Sequence, residues 1–293
     1  SCLVGSEMCI RDRSKKVMYM GRMIRIELYR AFHGKELKTA MLLGGLLGLA
    51  HFVLEVIPSV SHIFDGYHPD IASSVVGNVT ESWMGGMINP EINIYQMVVF
   101  LLITIPYAAS FYTDRKSGIL KNIAVRGEKR EYLAAKSVAV FMTAGVSAVF
   151  PLLLNLMLTM TMFPVINYDW YQLPNYKALF MNLAVKNVIA YCIVYMALIF
   201  VFAGLIAGLA LSLSLYANNR FVVLSLPFLI CIVSGRLVAY SGNPVIRGLA
   251  IQKVFYVPQS SPTTLVSLCI LFVVLVLCGY VHFMVRGVKM DVL

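Results

Sequence analysis

Apolar residues gather into six runs separated by polar or charged stretches. They are Ala40–Ile57 (AMLLGGLLGLAHFVLEVI), Ile94–Tyr112 (IYQMVVFLLITIPYAASFY), Leu133–Phe163, Val188–Leu215, Phe221–Tyr240 and Thr263–Val285. A helix needs ~20 such residues to cross the ~30 Å hydrocarbon core of a bilayer, and the first two runs sit at the short end of that range. The third would extend roughly 45 Å as a helix, so it must tilt, kink at Pro151 or protrude. The short segment Tyr216–Arg220 joins the fourth and fifth runs as a tight hairpin. This pattern predicts an all-α polytopic membrane protein with six transmembrane helices.

Ahead of the first run, residues 14–39 carry a different period. Met20, Ile24, Leu28 and Phe32 fall on one helical face with Met23 and Ala31 beside them, and Arg22, Arg25 and Arg30 crowd the remainder. An apolar stripe between basic flanks predicts a cytoplasmic interfacial helix, favoured over a plain positive anchor.

Composition agrees with lipid as the solvent. Hydrophobic residues make up 59% of the chain and charged residues 13%, about half the ~25% typical of soluble domains. The formal net charge is +10, but few basic residues interrupt the apolar runs, a balance that reflects basic loops rather than a nucleic-acid-binding face. Seventeen lysines and arginines flank the runs on one side and five on the other. With six crossings, this asymmetry places both termini in the cytoplasm.

Several chemistries find no support. Cys192, Cys231, Cys269 and Cys278 lie inside apolar runs without ligand spacing and read as small buried hydrophobes. His62, His68, Asp65 and Asp70 in the outer segment Pro58–Asn93 match no metal pattern and read as a solvated loop. Neither H-E-x-x-H nor G-x-S-x-G occurs, so the chain is not expected to be an enzyme or to hold a cofactor. The outer stretch Ser241–Ser261 contains GLAIQKVFYV, a short helix lying on or dipping into the outer leaflet. The opening SCLVGSEMCIRDR fails the signal-peptide pattern. Leu3–Asp12 back-translates into a string like a sequencing-library adapter, so residues 1–13 are expected to be an adapter-derived artefact, with Met18, Met20 and Met23 as candidate starts.

The segment between the second and third runs, TDRKSGILKNIAVRGEKREYLAAK, is too long and too charged for a simple hairpin. Ile119, Leu120, Ile123 and Ala124 set an apolar ridge within a cationic surround, bounded by Gly118 and Gly127. That is either a short helix docking a cytoplasmic partner or a solvated basic loop. Asp114-Arg115-Lys116-Ser117-Gly118-Ile119-Leu120-Lys121-Asn122-Ile123, then Lys129-Arg130-Glu131-Tyr132-Leu133-Ala134-Ala135-Lys136, resembles the inner loop of ATP-binding-cassette (ABC) type-2 export permeases. The order of elements over Met20–Gly287 resembles that family too. Ile119 stands where the family often has Thr, and Arg126-Gly127 where a Pro commonly follows.

The resemblance implies a permease domain over 40–293 whose loop 113–131 is a coupling helix. Asp114, Arg115, Lys116, Gly118, Ile119, Leu120, Lys121 and Ile123 would engage a separate ABC ATP-binding subunit. It also implies pairing with a second permease copy or homologue in a bacterial cytoplasmic membrane. No G-x-x-x-x-G-K-[ST] loop occurs in this chain, so the motor would be another polypeptide. Gly44-xxx-Gly48 and Gly204-xxx-Gly208 suit close helix contacts. Among polar residues in or near the runs (His51, Glu55, Asn155, Lys186, Arg236 and His282), Glu55, Asn155 and Arg236 are candidates for lining a pathway. The expected function is an alternating-access exporter; the alternative is an ion-coupled secondary transporter or channel.

Overall fold

The computed structural model describes residues 19–60, 79–85, 93–125, 129–167, 179–255 and 265–290, all of them helix, turn or loop. Residues 1–13 and the outer-loop histidines and aspartates named above lie outside these residues. Helix α1 covers residues 19–33. After Gly34, α2 runs Lys35–Val60, with a π-helical turn at Phe52–Val56. The short α3 (Val79–Ser82) precedes α4 (Asn93–Thr104), α5 (Ser110–Lys116) and α6 (Ile119–Val125). Helix α7 (Lys129–Thr159) leads through α8 (Met181–Lys186) to α9 (Val188–Leu213) and α10 (Arg220–Ala239). The short α11 (Pro244–Gly248) and a 3₁₀ turn (Ile251–Val254) precede α12 (Leu265–Lys289), which holds a second π-helical turn at Val276–Val281.

Five of these helices, α2, α7, α9, α10 and α12, are long and apolar enough to cross a membrane. The chain is a multi-span helical membrane protein by helix length and hydropathy. Its outer faces agree: Leu54, Phe221 and Leu237 are each about 70% exposed on these helices, as suits faces turned to lipid rather than water.

One expectation needs correction. The second apolar run is not one long helix but α4 and α5, separated by turns at residues 105–109. Pro106 is the physical reason, since it brings no N–H and its ring crowds the carbonyl four residues earlier. That carbonyl, Leu102 C=O, accepts a hydrogen bond from Ser147 Oγ at 2.8 Å instead. The broken stretch still follows α7 closely. Asp114 meets Tyr132 and Lys136, Leu102 meets Ser147, and Tyr95 Oη donates to the Ala148 carbonyl. These partners run antiparallel over sixteen residues of α7, roughly 24 Å of helix axis.

Helices α7 and α9 form the centre, and α2 and α12 pack alongside them. The glycine motifs explain how the axes come close. On α2, Gly44 and Gly48 face Pro151 and Leu154 of α7. On α9, Gly204 faces the Phe141 ring, Gly208 faces the Tyr280 ring, and the backbone of Gly208 lies against Gly279. Both small-residue faces are therefore buried in contacts within the chain. Helix α7 continues through Pro151, in accord with a long third run. After α10 the α-helical turn falls on Pro244–Gly248, ending where GLAIQKVFYV begins, and the described part of that stretch holds a 3₁₀ turn at Ile251–Val254; Val254 and Phe255 turn inward, Phe255 edge-on to Phe100.

The stripe on α1 divides rather than staying on one face. Leu28 and Met23 pack against the core, Ala31 and Glu27 are buried, and Met20 and Phe32 remain exposed with Tyr29. The buried Glu27 causes the division, because its partners lie within the helical body.

Candidate functional site

Helix α1, the 105–109 turn, α5 and α7 converge on a cluster of ionised side chains. Glu27 and Arg30, three residues apart on α1, join at 2.7 Å. Arg30 Nη2 reaches Asp114 Oδ1 on α5 at 2.9 Å. From α7, Lys136 Nζ lies 2.5 Å from Asp114 Oδ2 and 2.7 Å from Glu27 Oε2. Two phenols complete the shell: Tyr132 Oη donates to Asp114 Oδ2 at 2.6 Å, and Tyr107 Oη donates to Glu27 Oε2 at 2.8 Å. The Lys136 ammonium also sits over the Tyr107 and Tyr132 rings, at 4.6 and 5.2 Å from their centroids.

The Lys136 side chain is fully buried and those of Glu27 and Asp114 nearly so, while Arg30 opens to solvent on one side. Two carboxylates and two cations leave the cluster neutral, the condition under which buried ions are tolerated. Burial by itself raises the Asp114 pKa. The Lys136 charge and hydrogen bonds from Arg30, Lys136 and Tyr132 outweigh that and hold its carboxyl below the usual carboxylate value. Burial likewise lowers Arg30, but its hydrogen bond to Asp114 and the Glu27 charge outweigh it and raise its pKa.

Next to Asp114 in sequence, Arg115 points the other way, over the Tyr112 ring. Its guanidinium donates to the Leu215 carbonyl and, at 2.5 Å, to the Ala217 carbonyl, while Tyr112 Oη donates to the Asn218 carbonyl at 2.9 Å. These are carbonyls left without intrahelical donors just beyond the C-terminus of α9, where a cation is favoured. Helix α5 is thus fixed from two sides, through Asp114 to α1 and α7 and through Arg115 to the α9–α10 hairpin.

Gly118 has φ +78° and turns the chain from α5 into α6, a left-handed conformation costly for any residue with a Cβ. On α6, Leu120 is buried and Ile123 packs against the core, while Ile119, Lys121 and Val125, with Lys116 at the end of α5, face outward. The eight residues singled out in this loop are therefore brought together but divided in task. Asp114, Arg115, Leu120 and Ile123 anchor the segment; Lys116, Ile119 and Lys121 are presented on its surface, with Gly118 as the bend.

The pathway candidates lie on three different helices, α2, α7 and α10. Asn155 is about 28 Å along α7 from Lys136, at 1.5 Å per residue. It is fully buried, and its amide donates to the Gly48 carbonyl at 3.0 Å and lies 3.2 Å from His51 Nδ1. Its Oδ1 accepts from Met84 N at 2.8 Å. These bonds make it a tie between α2, α7 and the turn after α3. Glu55 is half-buried in the π-helical turn of α2, and Arg236 is exposed near the end of α10.

Sequence reasoning missed Glu27, Tyr107, Tyr132 and Lys136 as members of one site. A signal existed, because Glu27 is the one acidic residue among Arg22, Arg25 and Arg30 on α1. No group of three or more metal-ligating side chains occurs among the described residues. A scan of protein-family models, a search of curated proteins and a search of solved structures find no match to this chain.

Proposed function

We propose that this chain is the membrane-spanning permease subunit of an ATP-driven ABC exporter, gated by a separate ATPase through the 113–131 loop. The supporting observation is the mounting of α6. Its exposed ridge of Ile119, Lys121 and Val125 projects from a segment locked to α1 and α7 by Asp114 and to the α9–α10 hairpin by Arg115. A push on α6 would pass through the Gly118 bend into α5 and from there to three membrane helices and the interfacial helix. In this reading the second apolar run, Ile94–Tyr112, makes the sixth crossing, both termini are cytoplasmic, and two copies of the permease, or this chain and a homologue, form the pathway in a bacterial cytoplasmic membrane.

The test is co-purification with an ATPase and measurement of substrate-stimulated ATP hydrolysis. Ile119→Asp, at an exposed position, is expected to abolish stimulation while leaving the permease folded. Stimulated turnover unchanged in Ile119→Asp would remove α6 from coupling.

A second reading, an ion-coupled secondary transporter or channel, draws on the buried Glu27–Lys136–Asp114 charges beside the interrupted α4–α5 helix. Broken helices and buried ionisable groups recur in such proteins. Uptake into ATP-free vesicles driven by a proton or sodium gradient would favour it over the first.

A further inference from the structure

A cleft of about 620 Å³ opens between α9, α10 and α12, far from the charge cluster in composition. One wall is Leu209, Ser212 and Leu213 of α9 with Tyr216 just beyond its end; the facing wall is Leu271, Val274, Cys278 and His282 of α12. Its volume falls within the roughly 300–1,000 Å³ of cavities that take a small organic ligand. Nearly all of the lining is aliphatic, and the polar groups collect at one end. There His282 Nδ1 is 2.6 Å from Ser212 Oγ, and His282 Nε2 is 3.0 Å from Tyr216 Oη, with the two rings stacked.

The polarity continues past the cleft. Arg286 and Lys289 follow His282 at i+4 and i+7 on α12, so they share its face. Both are exposed, and neither has an ion pair among the described residues. One face of the helix therefore reads apolar, then hydrogen-bonding, then cationic, over the distance from a bilayer interior to its surface. A second protein copy seated here would have to bury Arg286 and Lys289 against its own carboxylates. A lipid meets the whole sequence of chemistries with a single molecule.

We propose that this cleft is a binding site for one anionic phospholipid, with an acyl chain between α9 and α12 and its phosphate over Arg286 and Lys289. Ser212, Tyr216 and His282 close the cleft at the level of the glycerol esters. The site stands apart from the transport reading and needs no ATPase partner. Each basic side chain near the membrane surface favours an anionic lipid by roughly fivefold, so two separate it from a zwitterionic lipid of the same chains by more than tenfold.

The test is native mass spectrometry of the full chain released from detergent carrying phosphatidylglycerol or phosphatidylcholine with identical acyl chains. One phosphatidylglycerol adduct should survive where phosphatidylcholine is lost. Arg286→Gln with Lys289→Gln should erase that preference. Val274→Trp should remove the adduct altogether, whereas Val266→Trp, on another face of α12, should leave it intact. A second readout uses the native chain alone. Maleimide modification, mapped by peptide, should be slowed at Cys278 in the cleft by phosphatidylglycerol over phosphatidylcholine, with exposed Cys269 as the unaffected reference. Equal retention of both lipids, or a preference surviving the Arg286/Lys289 double variant, would overturn the proposal. So would dissociation of a dimer on Val274→Trp, which would assign the cleft to a second copy.

Discussion

Lys136 and Asp114 meet at 2.5 Å, the lysine with no exposed side-chain surface, at the junction of α7 and α5. An ammonium so enclosed is held by its partners and by nothing else, since water cannot replace them. Replacing it with Met is expected to cost about 3–5 kcal/mol, chiefly because Asp114 and Glu27 would then share a single cation. Combining Lys136→Met with Glu27→Gln restores neutrality, and the pair should couple by ~1–3 kcal/mol rather than add. Thermal unfolding of the four proteins of that cycle in one detergent measures the coupling. Strict additivity would show the cluster to be a set of independent contacts.

Acid should loosen the same junction, and the sign follows from Asp114. Its carboxyl titrates below the usual carboxylate value in the folded protein, despite burial, because of Lys136 and the hydrogen bonds from Arg30, Lys136 and Tyr132. A group depressed on folding stabilises the fold above its unfolded pKa of about 3.9 and loses that contribution as pH falls toward its folded value. Melting temperature should therefore drop for the native chain below about pH 4 by this linkage. Asp114→Asn, less stable at neutral pH, should show a shallower decline over the same window. Parallel curves would mean that other groups carry the acid response.

How much of this was readable in advance depends on the range of the forces involved. The apolar runs and the small faces at Gly44-xxx-Gly48 and Gly204-xxx-Gly208 are local patterns, and they emerge as helices and helix contacts. The interruption at Pro106 was marked by its own residue, yet a proline inside an apolar run marks either a tolerated kink, as Pro151 does in α7, or a break. Which it becomes depends on a partner such as Ser147, forty-five residues away, taking the freed carbonyl. The charge cluster was hidden for the same reason. Glu27 and Lys136 pair across more than a hundred residues, and each alone reads as an ordinary charge near a helix end. Asp114 was chosen for the surface it was expected to present, while the structure buries it.

The glycine contacts should differ in tolerance according to what a new Cβ would meet. At Gly44 the nearest atoms are those of the Pro151 ring at 3.4 Å, an ordinary contact, so Gly44→Ala should be nearly neutral. At Gly208 a Cβ would fall 2.6 Å from the Tyr280 ring, whose hydroxyl is committed to the Gly204 carbonyl at 2.5 Å. The ring cannot swing aside without losing that bond. Gly208→Ala should therefore cost ~1–3 kcal/mol, as overpacking does. Melting temperatures of the two variants, with size-exclusion profiles unchanged, would place both motifs within the fold.

Asn155 offers a comparison between holding helices together and lining a path. Leu at this position would fill similar volume but leave the Met84 N–H without an acceptor in a buried setting, while the Gly48 carbonyl would keep only the Phe52 N–H. An orphaned buried polar group costs ~1–3 kcal/mol, so Asn155→Leu should lower the melting temperature. Transport per folded molecule should be unchanged. Reduced transport at full stability would return Asn155 to the pathway.

The bend at Gly118 provides the sharpest separation between fold and coupling. A side chain at φ +78° costs about 1–2 kcal/mol, yet an added Cβ there meets nothing within 4 Å. The strain in Gly118→Ala is therefore confined to the backbone between α5 and α6 and need not disturb packing. On one side, α5 stays fixed by Asp114 and Arg115; on the other, Leu120 must still reach its buried place. The way to satisfy both is for the bend to relax and for Ile119 and Val125 to change direction relative to the anchored segment. Melting temperature should fall only slightly, while, on the proposed exporter reading, substrate-stimulated ATP hydrolysis by an ATPase partner should drop severalfold. A large loss of stability with coupling preserved in the surviving protein would make the bend a folding element and leave the outward ridge of α6 without a role in gating.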